Sequence, residues 1–213
     1  MHLNQYIDHT LLKSTATEAD IQTLCTEAKQ HNFYAVCVNS CYVALAKVAL
    51  QNTPVKVAAV IGFPLGAMAT KIKEAEAKFC VEQGADEIDM VMNLGWFKSG
   101  LHTRISDEIR NIKDIIGNSV LKVILETCYL SEDEITEACK LCILGGADFV
   151  KTSTGFGPEG ASLKAVHRMK DSVGEKAKIK ASGGIRDKAT ALAYIKAGAS
   201  RIGSSSGVKM MGS

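Results

Sequence analysis

The stretch Gly84-Ala-Asp-Glu-Ile-Asp89 recurs as Gly146-Ala-Asp-Phe-Val-Lys151 and as Gly198-Ala-Ser-Arg-Ile-Gly203. Each copy opens with a Gly-Ala pair where a helix should end, continues with a polar residue, and then enters a strand-like run. Asp89, Lys151 and Gly203 all fall five residues after the glycine. If the three units superimpose, these residues occupy matching places in three strands. A common helix-to-strand loop would explain the similarity equally well.

Strand-like and helix-like segments alternate along the whole chain, and the pattern predicts eight strands. These are Tyr6–Asp8, Phe33–Val38, Val55–Ile61, Glu87–Met92, Leu121–Glu126, Phe149–Thr152, Lys178–Ala181 and Arg201–Gly203. Strict alternation indicates parallel strands joined by helical crossovers. Eight strands in 213 residues fit one (β/α)8 TIM barrel, a single catalytic domain over residues 1–213. The rival is a doubly wound open sheet, which would have fewer strands and usually a Gly-rich turn after the first.

Local signals predict where helices start and stop. Ser131-x-x-Glu134 and Thr15-x-x-Glu18 have the spacing of capping boxes. Four glycines are expected to end helices in the left-handed conformation, namely Gly84, Gly117, Gly145 and Gly198.

Composition narrows the class of protein. Apolar residues make up 46% and charged residues 23%, as in ordinary globular domains, and the net charge of +2 gives no reason to expect nucleic acid as a partner. No apolar run approaches the roughly 18 residues of a membrane span, and the N-terminus lacks the order of a signal peptide. The seven cysteines form no CxxC pair, and no histidine falls at metal-ligand spacing from them. We expect a cytoplasmic protein without a membrane partner or a metal site.

Charged residues occupy one parity of three predicted strands. Glu87 and Asp89 alternate with apolar neighbours, and so do Lys178 and Lys180. Lys151 and Ser153 alternate with Val150 and Thr152. Both faces of a parallel barrel strand should be apolar, and these three strands break that rule on one face. The apolar residues should pack against the helices, so the polar residues should point into the barrel. Buried charges are costly unless they are paired or used, which indicates a site near the carboxyl ends of these strands.

Each of these residues also has a structural interpretation. Lys151 could lie at a frayed strand end, and Lys180 could lie on a solvated edge. Asp89 could be an ion-pair partner only. Glu126 could support the site or serve the fold, and the sequence does not separate these two roles.

Glycine and hydroxyl residues follow the last three predicted strands. The segments are Lys151-Thr-Ser-Thr-Gly-Phe-Gly157, Ala181-Ser-Gly-Gly-Ile-Arg186 and Ile202-Gly-Ser-Ser-Ser-Gly207. Backbone N–H groups in such turns bind phosphate well, and barrel enzymes often hold phosphate after their last strands. The alternative to a phosphate site is that these segments are three ordinary turns between strands and helices.

Taken together, the motifs resemble those of deoxyribose-phosphate aldolases. The resemblance covers Ile7-Asp-His-Thr-Leu-Leu12, Ala35-Val-Cys-Val-Asn39, Val60-Ile-Gly-Phe-Pro-Leu-Gly66, Glu87-Ile-Asp-Met-Val-Met-Asn93, Val150-Lys-Thr-Ser-Thr-Gly155, Lys180-Ala-Ser-Gly-Gly-Ile-Arg186 and Arg201-Ile-Gly-Ser-Ser-Ser206. It implies a class I aldolase, a lyase that reversibly cleaves 2-deoxy-D-ribose 5-phosphate to acetaldehyde and D-glyceraldehyde 3-phosphate, without a metal or organic cofactor, and a homodimer.

The resemblance also implies roles for individual residues. Lys151 would form the Schiff base, Lys180 would lower its pKa, and Asp89 would take part in proton transfer. Gly155, Gly183, Gly184, Ser205 and Ser206 would surround the phosphate. Two features depart from the pattern: the chain ends at Met211-Gly-Ser213 without the tyrosine-terminated tail of some relatives, and Phe156 stands where some relatives have a lysine.

The chemistry agrees with this assignment. A second ammonium roughly 6 Å from Lys151, at an effective dielectric of about 20, adds about 3 kcal/mol to the cost of protonation, or about two pKa units. Lys151 would then titrate near 8 or below, roughly, and could attack a carbonyl. Two rivals stay open: a Schiff-base aldolase for another sugar phosphate, and a non-catalytic barrel that binds a phosphorylated ligand.

Overall fold

The computed structural model describes residues 2–212, so the chain end at Ser213 lies outside the described residues. Its eight parallel strands are β1 Ile7–Leu11, β2 Ala35–Asn39, β3 Lys56–Ile61, β4 Glu87–Val91, β5 Val120–Ile124, β6 Phe149–Lys151, β7 Lys178–Ser182 and β8 Arg201–Ser204. They pair in sequence order, and β8 closes on β1. The predicted (β/α)8 barrel is therefore confirmed, and the open-sheet alternative is wrong.

Helices cover the outside of the barrel. They are α1 Glu18–Gln30, α2 Val43–Ala49, α3 Thr70–Glu82, α4 Leu94–Lys98, α5 His102–Ile116, α6 Glu132–Leu144, α7 Leu163–Val173, α8 Lys188–Lys196 and α9 Gly207–Met210. Within residues 2–212, none of them combines the length and the apolar character needed to cross a membrane.

The apolar parity of the strands faces these helices. Val36 and Val38 of β2 and Ile88 and Met90 of β4 belong to the main hydrophobic core. The opposite parity behaves differently on the two halves of the barrel. On β2 and β3 it is small and apolar, with Cys37 in a separate small cluster, whereas on β1 and on β4 to β8 it carries the charges.

The first strand differs from its prediction. β1 runs from Ile7 to Leu11, whereas Tyr6–Asp8 was expected, and Tyr6 closes a short 3-10 turn instead. The strand was predicted too short because His9 and Thr10 are polar and interrupt the apolar pattern. Both residues pair with β2 all the same, because backbone pairing does not require apolar side chains.

One of the two predicted capping boxes is wrong. The capping box of α1 joins Thr17 to Asp20, not Thr15 to Glu18, because Thr17 is the residue with the extended conformation that an N-cap needs. The capping box at Ser131 and Glu134 is confirmed.

Glycines end helices for two different reasons. Gly84, Gly117 and Gly198 have positive φ as expected, but Gly145 has φ −80° and its neighbour Gly146 takes the left-handed position. A Cβ on Gly145 would lie 2.6 Å from Ile109 Cβ, so this glycine allows α6 to approach α5 closely.

Candidate active site

Asp89 holds three lysines at the centre of the barrel. Its Oδ2 accepts hydrogen bonds from Lys151 Nζ and from Lys180 Nζ, each at 2.8 Å, and its Oδ1 accepts from Lys122 Nζ at 2.7 Å. Lys151 is 2% exposed and Lys180 is fully buried. The frayed end proposed for Lys151 and the solvated edge proposed for Lys180 are therefore wrong.

In each repeated Gly-Ala unit, the residue five positions after the glycine occupies the same position in its strand. Asp89, Lys151 and Gly203 are each the third residue of their strand. A Cβ on Gly203 would lie 3.0 Å from Lys180 Cε, so the missing side chain leaves room for the lysine. Lys178, expected inside the barrel, is exposed at the start of β7, with its ammonium 5.7 Å from the Phe149 ring centre.

Three further charged residues of this interior were missed. Lys122 bonds to Asp89 and to Glu87, and Arg201 bonds to Glu87 and to Asp8. The parity rule applied to β5 would have found Lys122, because it alternates with Leu121 and Val123. Asp8 and Arg201 give a weaker signal, since each is a single charge close to the predicted end of a short strand.

Ion pairing outweighs burial in this cluster. Burial alone would raise the pKa of Asp89, but the lysines at positions 122, 151 and 180 hold it well below its ordinary value. Burial alone would lower the pKa of Lys180, but Asp8 and Asp89 raise it. Lys180 therefore remains an ammonium and Asp89 a carboxylate at neutral pH.

A pocket of about 310 Å³ opens above Lys151. The three glycine turns meet in its wall, which includes Gly155, Gly183, Gly184 and Ser205. Ser206 is not part of this lining; its N–H donates to Ser204 Oγ at 2.9 Å and it precedes α9.

Two cations accompany these neutral donors. Arg186, expected from the sequence, lines the pocket, and so does the exposed Lys13 from the segment after β1. Lys13 was missed because nothing in its local sequence distinguishes it from a surface lysine.

Phe156 lies at the mouth of the pocket. Its ring packs edge-on against Phe63 with 5.3 Å between ring centres, and 56% of the residue is exposed. Phe156 and Phe63 therefore form an aromatic edge at the opening of the pocket.

Glu126 fastens the turn after β6. Its carboxylate accepts from Thr154 N at 3.1 Å and from the Thr154 hydroxyl, and Phe156 N donates to Thr154 Oγ1 at 3.0 Å. Glu126 itself has φ 52°, a left-handed conformation that is uncommon for a non-glycine residue. Its contacts thus support the turn that carries Gly155.

Comparison with known proteins gives a consistent result. A family model described as "DeoC/LacD family aldolase" matches residues 3–211. A deoxyribose-phosphate aldolase from Finegoldia magna is 53% identical over 99% of this chain and 99% of the relative. One from Carboxydothermus hydrogenoformans is 52% identical over 97% of this chain and 92% of the relative. The solved structure of a tetrameric deoxyribose phosphate aldolase from Aeropyrum pernix superimposes with a TM-score of 0.90 at 34% identity, covering 99% of this chain and 89% of that one.

Proposed function

The chain belongs to the DeoC/LacD family of aldolases, and we propose that it reversibly cleaves 2-deoxy-D-ribose 5-phosphate to acetaldehyde and D-glyceraldehyde 3-phosphate. One observation carries the mechanism. Lys151 lines the pocket while its amine bonds to a carboxylate that also holds a second buried lysine, Lys180. The named function of relatives about half identical over nearly the whole chain supports the choice of substrate.

Binding orients the substrate between two ends of the pocket. The aldehyde carbon of the open-chain sugar meets Lys151, and the phosphate meets the turns after β7 and β8. Gly183 and Gly184 have φ of 89° and 79°, a left-handed range that favours glycine, so the close turn at this end of the pocket depends on these two residues. The hydroxyl of Ser205 and the side chains of Arg186 and Lys13 complete this end of the pocket.

The bond changes follow from a lysine amine at the aldehyde. The Lys151 nitrogen attacks C1, and loss of water gives an iminium. The C2–C3 bond then breaks. Its electron pair moves toward the iminium to form an enamine, while the C3 hydroxyl loses its proton and becomes the aldehyde of glyceraldehyde 3-phosphate. Protonation of C2 restores the iminium, and water releases acetaldehyde and the free amine.

Asp89 and Lys180 assist these steps through charge and hydrogen bonding. Asp89 faces the nitrogen of Lys151 and stabilises the positive iminium. One Asp89 oxygen accepts from the nitrogens of both lysines, so this carboxylate is placed to pass protons to and from the nitrogen of Lys151. Lys180 stays charged and bonds to the same carboxylate oxygen as Lys151.

Two measurements test this function. Acetaldehyde release from 2-deoxyribose 5-phosphate separates it from an aldolase for another sugar phosphate, which would release a different product. Acetaldehyde plus borohydride should add one ethyl group at Lys151, and Lys151→Met should lose both the adduct and the release. A folded wild-type protein that forms no adduct would instead be a barrel that only binds a phosphorylated ligand. Labelling mainly at Lys180 would reverse the roles of the two lysines.

We also propose a cytoplasmic location and a homodimer. All seven cysteines lie within residues 2–212 and are free thiols, as expected in a reducing compartment. The dimer is the expectation from the family resemblance, while the Aeropyrum pernix relative is described as a tetramer. Sedimentation equilibrium distinguishes the two assemblies, and a mass near that of one chain would contradict both.

A further inference from the structure

Six buried side chains form a closed ring of alternating charge beneath the pocket. Starting from Asp89, the ring passes through Lys122, Glu87, Arg201, Asp8 and Lys180 and returns to Asp89. None of the six is more than 4% exposed. We call this set the ion-pair ring. Lys151 is attached to it through Asp89 alone among these six.

The ion-pair ring is neutral without Lys151. Three carboxylates face three cations, and five of the six, all but Glu87, have a pKa displaced toward the charged form. Although burial opposes it, the cations around Asp8 lower its pKa to about 2 and those around Asp89 hold its pKa well below the ordinary value. The neighbouring carboxylates raise the pKa of Lys122, Lys180 and Arg201 against burial. A proton on Lys151 is therefore the one charge in excess of balance.

We propose that Glu87 and Arg201 are positioning residues that set the protonation of Lys151 by closing the ion-pair ring and fixing its net charge. This inference rests on the proposed function, because it concerns the amine that would form the Schiff base. Neither residue lines the pocket above Lys151, so neither can act by touching substrate there.

The position of Glu87 and Arg201 explains how they act from a distance. Glu87 precedes Asp89 by two residues on β4 and so faces the same side of the strand. Arg201 packs against the Tyr34 ring, 3.5 Å from its centre, and bonds to Glu87 through both terminal nitrogens. Little water reaches these groups, so their charges are screened less than surface charges.

The other strands add no compensating charge to the ring. The inward group of β2 is the thiol of Cys37, whose pKa is raised by burial so that it stays neutral. On β3 the corresponding residues are Ala58 and Val60. On β6 the charged inward group is Lys151 itself. Glu126, Arg186 and Lys13 are charged too, but they lie on the turns around the pocket and outside the ring. Among the buried inward strand side chains of residues 2–212, the charges are those of the six ring members and Lys151.

This arrangement predicts shifts of opposite sign from two residues in contact. Glu87→Gln removes a negative charge and should lower the apparent pKa of adduct formation at Lys151. Arg201→Gln removes a positive charge and should raise it. Charges about 9 Å apart at an effective dielectric of about 20 shift one another by about one pKa unit, which is the size expected for each variant.

The experiment measures the borohydride-trapped acetaldehyde adduct as a function of pH in folded wild type and variants. The double variant Glu87→Gln/Arg201→Gln restores the charge balance and should return the profile toward that of wild type. Arg201→Lys keeps the charge but loses the paired hydrogen bonds, so it should lower the melting temperature and leave the profile within a few tenths of a unit, roughly. If Arg201 had a purely structural role, Arg201→Lys and Arg201→Gln would shift the pH profile of adduct formation by similar amounts.

Distinct outcomes overturn the two proposals. Without an adduct in wild type, the proposed function fails. With a wild-type adduct but unshifted profiles, or shifts of the same sign in both single variants, the ring inference fails. If Glu87→Gln does not fold, the comparison of Arg201→Gln with Arg201→Lys still decides, because only the former removes charge.

Discussion

Lys180 and Lys151 are joined by a shared carboxylate oxygen of Asp89. Both amines bond to Asp89 Oδ2, so they are no farther apart than two hydrogen bonds end to end. The sequence-based estimate considered two ammonium groups and no carboxylate between them. The carboxylate offsets part of the repulsion, so the effect of Lys180 depends on the net charge around Asp89 as well as on distance.

We predict that Lys180→Leu raises the pH required for adduct formation by one to two units, roughly. The substitution removes the repulsion and leaves Asp89 with one cation fewer, and both changes favour the ammonium form of Lys151. The measurement is the pH dependence of trapped adduct. Lys180→Arg is the control, since it keeps the charge while changing its reach, and it should preserve part of the wild-type behaviour. An identical profile for Lys180→Leu would mean that burial alone activates Lys151.

At this scale the sequence identified residues whose polarity conflicts with their position. Asp89, Lys151 and Lys180 stood out because charge on the inward parity of a buried strand has few explanations. Arg201 and Asp8 did not, because their role depends on β8 closing against β1, a contact between residues at opposite ends of the chain. Local pattern carries no information about such a partner.

Helices and turns position these residues. The predicted helix ends were correct except at Gly145 and at the start of α1. Gly145 was assigned by its position after α6, but Gly146 has the left-handed conformation, and Gly145 instead leaves room for Ile109. The start of α1 offered two threonines, each followed three residues later by an acid, at Thr15 and at Thr17. Spacing alone does not choose between them.

We predict that Thr17→Ala destabilises the protein by about 1 kcal/mol and that Thr15→Ala changes stability little. Thr17 Oγ1 accepts from Asp20 N at 3.3 Å, and Asp20 Oδ2 accepts from Thr17 N at 2.8 Å, so this pair satisfies backbone donors at the helix start. Urea unfolding of both variants tests the prediction. A larger loss for Thr15→Ala would return the capping box to the position first expected.

For the whole molecule, the order of strands and helices was predictable from the sequence, whereas the pairing of charges inside the barrel was not. Alternation of strands and helices fixed the barrel, because parallel strands need crossovers and the apolar parity needs helices to cover it. The barrel interior follows different rules on its two halves: small apolar side chains on β2 and β3, and paired charges elsewhere. Which charges pair is set by barrel closure and stagger.

Buried ion pairs make the stability of the whole barrel sensitive to acid. The cations around Asp8 outweigh burial and lower its pKa from 3.8 to about 2. The stability that its ionised form contributes, about 2 kcal/mol, is present above the unfolded value and is lost as pH falls through the folded one. The pKa of Asp89 is depressed in the same direction, so its contribution disappears in acid as well.

We predict that Asp8→Asn flattens the pH dependence of the unfolding free energy between about pH 5 and pH 2 and lowers stability at pH 7 by about 3 kcal/mol. The loss at neutral pH arises because Lys180 and Arg201 each keep a buried charge but lose a carboxylate partner. Urea unfolding across this pH range measures both effects. Asp114→Asn, at an exposed carboxylate, is the matched control and should leave the curve unchanged. A curve for Asp8→Asn as steep as that of wild type would mean that the acid sensitivity originates outside the barrel interior.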